Sequence, residues 1–299
     1  MRTTTVLHEN DRTIFIRSET ISACNTVRTD RTGDRMTPQQ RLAALLDLVS
    51  ERGTVTVADV ERALGVSGAT VRRDLTTLAE QGLVTRTHGG ATARGSGYEL
   101  PLQYKAARQA SAKVAIADAV ACLVRPGDAV GLNGGTTTTE VARRLGRDDA
   151  LRPADGAPGV TVVTNALNIA YELSVREHVK IVVTGGVPRR QSYELVGPMV
   201  TASLQDVALD LAVLGVDGLS GRFGATTVHE GEAQASRDLA AVARRVVVAA
   251  DATKIGRGTF ARILPLSAVD VLVTDRPVDD ETAHALEAAE VETVVAPAP

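Results

Sequence analysis

The chain has 299 residues, 44% of them apolar and 23% charged, which is typical of a globular protein with two domains, or with one small and one large domain. With a net charge of −3, affinity for nucleic acid must come from a local basic patch, and 2% aromatic residues argue against a single-strand binder built on base stacking. Cys24 and Cys122 lack metal-ligand spacing and no apolar run approaches the roughly 18 residues of a membrane span, so we expect a cytoplasmic protein without a metal or a membrane partner.

The first 35 residues carry little periodicity. Residues 1–35 are rich in Thr, Arg and Asp, and we interpret them as a mobile tail. An alternative interpretation is that Met36 is the natural start, because a capped helix is predicted directly after it. The sequence favours neither interpretation over the other.

Three helices are predicted between Thr37 and Gly82. The first is capped by Thr37, with Gln40 completing a capping box; the second begins at Thr56, and the third is capped by Ser67. Apolar residues at helical spacing give each helix one buried face. In the third helix this face consists of Val71, Leu75 and Leu78.

A β-hairpin is predicted after the third helix, from Leu83–Thr87 and Ala91–Ala93 around a His88-Gly89-Gly90 turn. Helix, helix, glycine turn, helix and hairpin is the order of a winged helix-turn-helix, which we place at 36–93. The face of the third helix opposite its core presents two arginines between small residues, and such a helix can enter the major groove of double-stranded DNA. The predicted DNA-contacting residues are Ser67, Thr70, Arg72, Arg73, Thr76, Arg86 and His88. The alternative is a plain three-helix module whose arginines are merely solvated.

Beyond the hairpin the residue pattern of the sequence changes. Residues 94–112 are predicted to form a linker and a connecting helix, and 113–299 an effector-sensing domain. In this domain short β-branched runs alternate with Ala-rich helical stretches, which is typical of a parallel sheet covered on both faces. The predicted strands are Ala129–Leu132, Val160–Thr164, Val179–Thr184, Leu211–Val216, Arg245–Ala250, Val269–Thr274 and Glu292–Val295. The predicted fold class is therefore α/β, with a winged helix-turn-helix followed by a Rossmann-like, mostly parallel sensor domain.

Small and polar residues follow most of these strands, and the carboxyl ends of parallel strands share one ligand-binding edge. The run Gly134–Thr138 precedes a predicted helix, Glu140–Leu145, and offers backbone donors, hydroxyl groups and a helix N-terminus, which together suit a phosphate. It is neither a Walker loop nor a dinucleotide fingerprint, so ATP and NAD are poor candidates and no cofactor is expected. The alternative is ordinary turn and capping chemistry.

Three charged residues near these strand ends are candidates for the same site. Asp217 either accepts hydrogen bonds from sugar hydroxyl groups or serves as a turn residue. Glu232 opens a predicted helix, Glu232–Ala243, where a favourable dipole interaction is the simpler explanation. Lys254 closely follows a strand end. It is either part of the same site or a solvated loop lysine.

The segment Ser67-Gly68-Ala69-Thr70-Val71-Arg72-Arg73-Asp74-Leu75, followed by His88-Gly89-Gly90-Ala91, resembles the DNA-binding signature of the DeoR-type bacterial regulators. The resemblance continues to about residue 275 and implies a sensor domain similar in fold to ribose-5-phosphate isomerase, phosphorylated sugars as effectors, and repression of sugar-catabolism operons. The effector-site residues that it implies are Gly134, Gly135, Thr136, Thr137, Thr138, Asn165, Gly185, Gly186, Asp217, Glu232 and Lys254. Asn133 departs from the family pattern, in which many members have Asp, and this departure bears on effector recognition rather than on the phosphate site.

The predicted function is a DNA-binding repressor controlled by a phosphorylated sugar. Reading two half-sites requires at least a dimer, so a homodimer or homotetramer is expected. One alternative is a sugar-phosphate isomerase-like enzyme that uses Asp217, Glu232 and Lys254 as acid–base groups, although an isomerase would not need a DNA-binding module. Another is a DNA-binding scaffold whose C-terminal domain only oligomerises.

Overall fold

A computed structural model describes residues 13–15, 36–93, 101–106, 108–152 and 159–297. The chain divides into two compact units, Arg28–Ala110 on one side and Met1–Val27 with Ser111–Pro299 on the other. Most of the predicted tail therefore lies outside the described residues, but Thr13–Phe15 form a short strand, β1. None of the helices within the described ranges is long and apolar enough to cross a membrane.

The smaller unit contains the winged helix-turn-helix. Its elements are α1 (Pro38–Arg52), β2 (Thr54–Thr56), α2 (Val57–Leu64), α3 (Gly68–Glu80), β3 (Val84–Thr87) and β4 (Gly90–Ala93). The capping box of Thr37 and Gln40 is present, and the side chain of Ser67 accepts a hydrogen bond from the backbone N–H of Thr70. The helix caps predicted from the sequence are thus confirmed.

The sequence missed one strand of this unit. The three strands form an antiparallel sheet in the order β2-β4-β3, so the wing is a three-stranded sheet rather than a bare hairpin. Gly90 makes this possible, because a Cβ there would lie 2.8 Å from the Cα of Thr56. The strand was missed because β2 has only three residues and ends at the N-cap of α2.

The predicted connecting helix within 94–112 is two helices, α4 (Leu102–Lys105) and α5 (Ala110–Ala121), of which the second continues well past the predicted end. Residues 94–100 and 107 lie outside the described ranges. Tyr104 on α4 is buried, and its hydroxyl group donates a hydrogen bond to the side-chain oxygen of Gln81 just after α3. The short helix α4 is thus packed against the winged helix-turn-helix.

The larger unit alternates strands with helices, as predicted. Its remaining elements are β5 (Ala129–Leu132), α6 (Thr136–Leu145), β6 (Val160–Thr164), α7 (Leu167–Leu173), β7 (Val179–Val183), β8 (Val187–Pro188), β9 (Leu195–Val196), α8 (Pro198–Leu204), β10 (Leu209–Gly215), β11 (Gly218–Ser220), β12 (Gly224–Thr227), α9 (Glu230–Ala241), β13 (Ala243–Ala249), β14 (Ala261–Leu264), β15 (Val271–Thr274), α10 (Asp280–Ala288) and β16 (Glu292–Val295). All seven predicted strands are present, four of them with bounds displaced by one or two residues. Two short antiparallel sheets, β8-β9 and β11-β12-β14, were missed.

Two predicted helices had wrong bounds. Helix α6 begins at Thr136 instead of Glu140, and α9 spans Glu230–Ala241 instead of Glu232–Ala243. The first error arose because β-branched threonines are weak helix formers and resemble a loop in the sequence. The threonines of the Gly-Thr run therefore form the first turn of a helix, which aims their backbone N–H groups at the edge of the sheet.

The main sheet has eight parallel strands in the order β1-β16-β15-β13-β10-β5-β6-β7. Chain order proceeds outward from β5 through β6 and β7 in one direction, and from β10 through β13, β15 and β16 in the other. The order therefore reverses between β5 and β10. In open α/β sheets, the crevice beyond the carboxyl ends at such a switch point is where ligands bind.

Candidate functional site

The helix of the winged unit that the sequence predicts to enter the major groove is α3. Val71, Leu75 and Leu78 are fully buried, whereas Arg72 and Arg73 are exposed on the opposite face, as the helical wheel predicts. Of the other predicted DNA-contacting residues, Ser67, Thr76, Arg86 and His88 are exposed and Thr70 is half-buried. Together these side chains offer arginine forks and hydroxyl groups on α3 and on the wing.

An ion pair that sequence reasoning missed fixes this helix against α1. The Nε of Arg41 lies 2.5 Å from Asp74 Oδ2, and its Nη2 lies 3.0 Å from Oδ1. The hydrogen bonds that Arg41 donates to the Asp74 carboxylate raise the pKa of the Arg41 guanidinium, so this guanidinium stays charged. Bidentate geometry of this kind is the strong form of an ion pair, and it holds α3 in register beneath its exposed arginines.

In the larger unit the Gly134–Thr138 run lies at the switch point. Gly135 is the N-cap of α6 and has φ +143°, and no side chain caps the helix. The hydroxyl groups of Thr138 and Thr139 donate to the carbonyl of Gly135, at 3.2 and 2.6 Å. The run thus presents the uncapped backbone donors of a helix N-terminus, while these two hydroxyl groups stabilise the turn itself.

Asn133 links the two strands of the switch point. Its Nδ2 donates to the carbonyl of Gly215, at 2.9 Å, and its Oδ1 accepts from the Gly215 N–H, at 2.8 Å. The same Nδ2 lies 2.9 Å from the hydroxyl group of Ser236 on α9. Asn133 therefore ties the end of β5 to the end of β10, a structural role that the sequence alone did not reveal.

Acidic and basic side chains converge beside this loop. Lys254 Nζ lies 3.5 Å from Asp217 Oδ1, and Asp217 Oδ2 accepts from the hydroxyl group of Thr227, at 3.0 Å. Glu232, buried in the first turn of α9, is ion-paired with Arg189. The structure therefore brings together three charged residues that lie far apart in the sequence and were predicted for this site.

Sequence reasoning missed Glu194, which lies between Asn165 and Gly134. Asn165 Nδ2 donates to Glu194 Oε2, at 3.0 Å, and the backbone N–H of Gly134 donates to the same carboxyl group. Burial, together with the negative charges of Glu232 and Asp217, raises the pKa of Glu194 to about 8, although the two hydrogen bonds act to lower it. The carboxyl group is therefore mostly protonated near pH 7.

The two predicted glycines after β7, Gly185 and Gly186, determine the local course of the backbone. The N–H of Gly185 donates to the hydroxyl group of Ser203, at 2.8 Å, and Gly186 has φ +136°. A Cβ on Gly186 would lie 3.0 Å from the backbone of Val196 in β9. Both glycines shape the turn that leads to the β8-β9 hairpin.

Both halves of the chain match models of one protein family. Residues 41–96 match the DeoR-like helix-turn-helix domain, and residues 108–276 match the DeoR C terminal sensor domain. The chain belongs to the DeoR family. The resemblance inferred from the sequence is thereby confirmed, together with a DNA-binding module followed by a sensor domain.

Two relatives that are named as transcriptional regulators align with this chain over nearly their whole length. The HTH-type transcriptional regulator GlpR of Haloferax volcanii is 35% identical over 87% of this chain and 98% of its own. The glycerol-3-phosphate regulon repressor of Escherichia coli K12 is 31% identical over 81% of this chain and 92% of its own. Both relatives are named as transcriptional regulators and not as enzymes, which decides against the isomerase alternative.

A solved ribose 5-phosphate isomerase from Methanocaldococcus jannaschii matches 49% of this chain and 55% of its own, with 18% identity and a TM-score of 0.36. A score this low carries no functional inference.

Proposed function

We propose that this DeoR-family protein is a cytoplasmic repressor that binds operator DNA as a homodimer or homotetramer and responds to a phosphorylated sugar. The operon it controls would encode enzymes for the catabolism of that sugar. The observation that carries the effector half of this proposal is the uncapped N-terminus of α6 at the switch point of the sheet, beside buried polar side chains. Backbone donors and the helix dipole favour an anion there.

The DNA half of the proposal rests on α3 and the wing. Arg72 and Arg73 are exposed on the face of α3 opposite its core, and Arg86 and His88 are exposed on the hairpin. Guanidinium forks on a helix recognise guanine edges in the major groove, and side chains on the hairpin reach the neighbouring phosphates. Exposed Thr76 and half-buried Thr70 are small enough to let α3 approach the bases closely.

The effector half assigns the phosphate to the Gly134–Thr138 loop. Asp217, Glu232 and Lys254 then face the sugar, with carboxylates positioned to accept hydrogen bonds from hydroxyl groups. A relative named as the repressor of a glycerol-3-phosphate regulon agrees with such chemistry. An effector alters DNA affinity only through unequal binding to two conformational states, and such coupling is typically about 1–3 kcal/mol.

The test combines a ligand screen with a charge substitution in the loop. A thermal-shift screen of sugar phosphates identifies the effector, since a ligand at 100 times its Kd stabilises the folded state by about 2.7 kcal/mol. Thr137→Asp then places a carboxylate at the predicted phosphate position, and Thr137→Asn is the matched neutral control. Operator affinity is measured with and without the best ligand.

The aspartate variant should bind operator normally and ignore the effector, whereas the asparagine variant should still respond. An aspartate variant that responds like the wild type would place the phosphate elsewhere. If no sugar phosphate stabilises the wild-type protein, the scaffold alternative gains support.

A further inference from the structure

The β8-β9 hairpin carries two charged side chains into the sensor site. Arg189 follows β8 and pairs with Glu232, and Glu194 immediately precedes β9. The hairpin is joined to the end of β6 by backbone hydrogen bonds, of which Leu195 N–H to Asn165 O is 2.6 Å. Neither charged residue belongs to a motif in the sequence.

Glu194 occupies the space that Gly134 leaves open. A Cβ on Gly134 would overlap the Glu194 side chain, with Oε1 only 2.8 Å away. The carboxyl group therefore lies directly against the first residue of the proposed phosphate loop. A ligand whose phosphate is bound at the N-terminus of α6 would place its next few atoms beside Glu194.

An unpartnered acceptor lies beside this carboxyl group. Asn165 is fully buried and its Nδ2 has two hydrogen-bond acceptors, yet its Oδ1 has no partner among the described residues. Buried polar atoms nearly always have a partner, so an orphan acceptor in a site indicates a group still to be bound. Tyr193, which precedes Glu194 in the chain, has φ +61°. This backbone conformation is strained for a bulky residue, and strained residues of this kind cluster at ligand clamps.

We propose that Glu194 is a specificity-determining residue of the effector site, whose carboxyl group, together with Asn165 Oδ1, binds a ligand hydroxyl group next to the phosphate. This inference rests on the proposed function, because it takes the loop as the phosphate site. In this proposal the hairpin selects a hydroxylated phosphate ester over inorganic phosphate. The protonated carboxyl group of Glu194 donates a hydrogen bond to the hydroxyl oxygen, and Asn165 Oδ1 accepts the hydroxyl proton, so the pair matches a hydroxyl group both as acceptor and as donor.

The charge state of Glu194 fits this role. Glu232 and Asp217 face it with negative charge, and Arg189 and Lys254 each neutralise one of those carboxylates. A protonated Glu194 does not repel a bound phosphate, whereas its carboxylate form does. With a pKa of about 8, ligand affinity should fall as the pH rises above 8.

The experiment measures the binding of ribose 5-phosphate and of inorganic phosphate to the full chain by calorimetry, at pH 7 and pH 9. Glu194→Ala removes the carboxyl group, and Glu194→Gln keeps a neutral donor and acceptor. Glu292→Gln, on β16 and remote from the switch point, is the matched control. Thr137→Asp reports on the phosphate loop itself.

The expected result for Glu194→Ala is an affinity for ribose 5-phosphate about tenfold weaker, with that for inorganic phosphate unchanged. Glu194→Gln should bind the sugar phosphate at pH 7 and lose less affinity than the wild type at pH 9. Equal effects of Glu194→Ala on both ligands, or no effect on either, would overturn the role of Glu194 while leaving the loop intact. Wild-type protein that binds neither ligand, or a Thr137→Asp variant that binds both normally, would overturn the proposed phosphate site and this inference with it.

Discussion

The buried carboxyl group of Glu194 should make the folded sensor unit less stable as the pH rises. Its pKa is about 8 in the folded protein against an ordinary value of 4.5, so between these pH values the unfolded chain has released a proton that the folded chain still holds. The free energy of unfolding then falls by about 1.4 kcal/mol per pH unit. From pH 5.5 to 7.5 this amounts to about 3 kcal/mol.

Glu194→Gln removes this loss, because a neutral amide does not titrate. Differential scanning calorimetry of the full chain at both pH values gives the melting temperature of the sensor unit. The wild-type transition should fall by roughly 5–10 °C relative to that of Glu194→Gln over this interval. Glu292→Gln should follow the wild type, because Glu292 lies at the amino end of β16 and is paired with Arg245. Parallel pH slopes for wild type and Glu194→Gln would refute the argument that Glu194 is buried as an acid.

Three further predictions concern the smaller unit and the tail. Arg73→Ala should weaken specific operator binding by about 1–3 kcal/mol in gel-shift titrations without changing the melting temperature, since the side chain is exposed opposite the core. Unchanged affinity and salt dependence would mean that this face of α3 does not contact the DNA. Asp74→Ala should lower the stability of the winged unit by about 1–3 kcal/mol in urea denaturation, because Arg41 is left without its bidentate partner; an unchanged midpoint would show that the pair contributes nothing. A chain that starts at Met36 should keep its operator affinity and its melting temperature, since α1 is fully capped from Thr37 and β1 adds only a short pairing at the sheet edge; a large loss of either would show that the tail folds onto the body.

Local chemistry explains what the sequence could predict. Thr37 and Ser67 each satisfy backbone N–H groups at the start of a helix, and this requirement does not depend on the rest of the fold. The parallel strands were recognisable because both faces of the sheet are covered, which demands continuous apolar runs such as Val160–Thr164. The convergence of Asp217 with the Gly134 loop followed from the rule that parallel strands share one carboxyl edge.

What the sequence could not predict depends on contacts between distant segments. Glu194 lies in a hairpin whose strands have two residues each, too short for any periodicity. It is buried against Gly134 and Asn165, which come from other segments of the chain. The role of Asn133 likewise depends on the position of Gly215 in a neighbouring strand. A buried acid in a short hairpin has the same local sequence as an exposed one, so only the fold distinguishes them.

The charges around the sensor site limit how it can hold an anion. Lys254 and Arg189 are each paired with a carboxylate, so with Glu194 protonated the five side chains nearly cancel. A phosphate there gains little from long-range attraction and must be held by oriented donors, chiefly the backbone N–H groups at the N-terminus of α6. The exposed arginines of α3 have the opposite character in the proposed function, because contacts of arginine with DNA phosphates release counterions and weaken steeply with salt. In the proposed function, directional hydrogen bonds at the sensor site select a ligand by shape and hydroxyl pattern, while the two exposed arginines of α3 supply affinity for any duplex. Sequence selection is left to the few side chains that reach the bases.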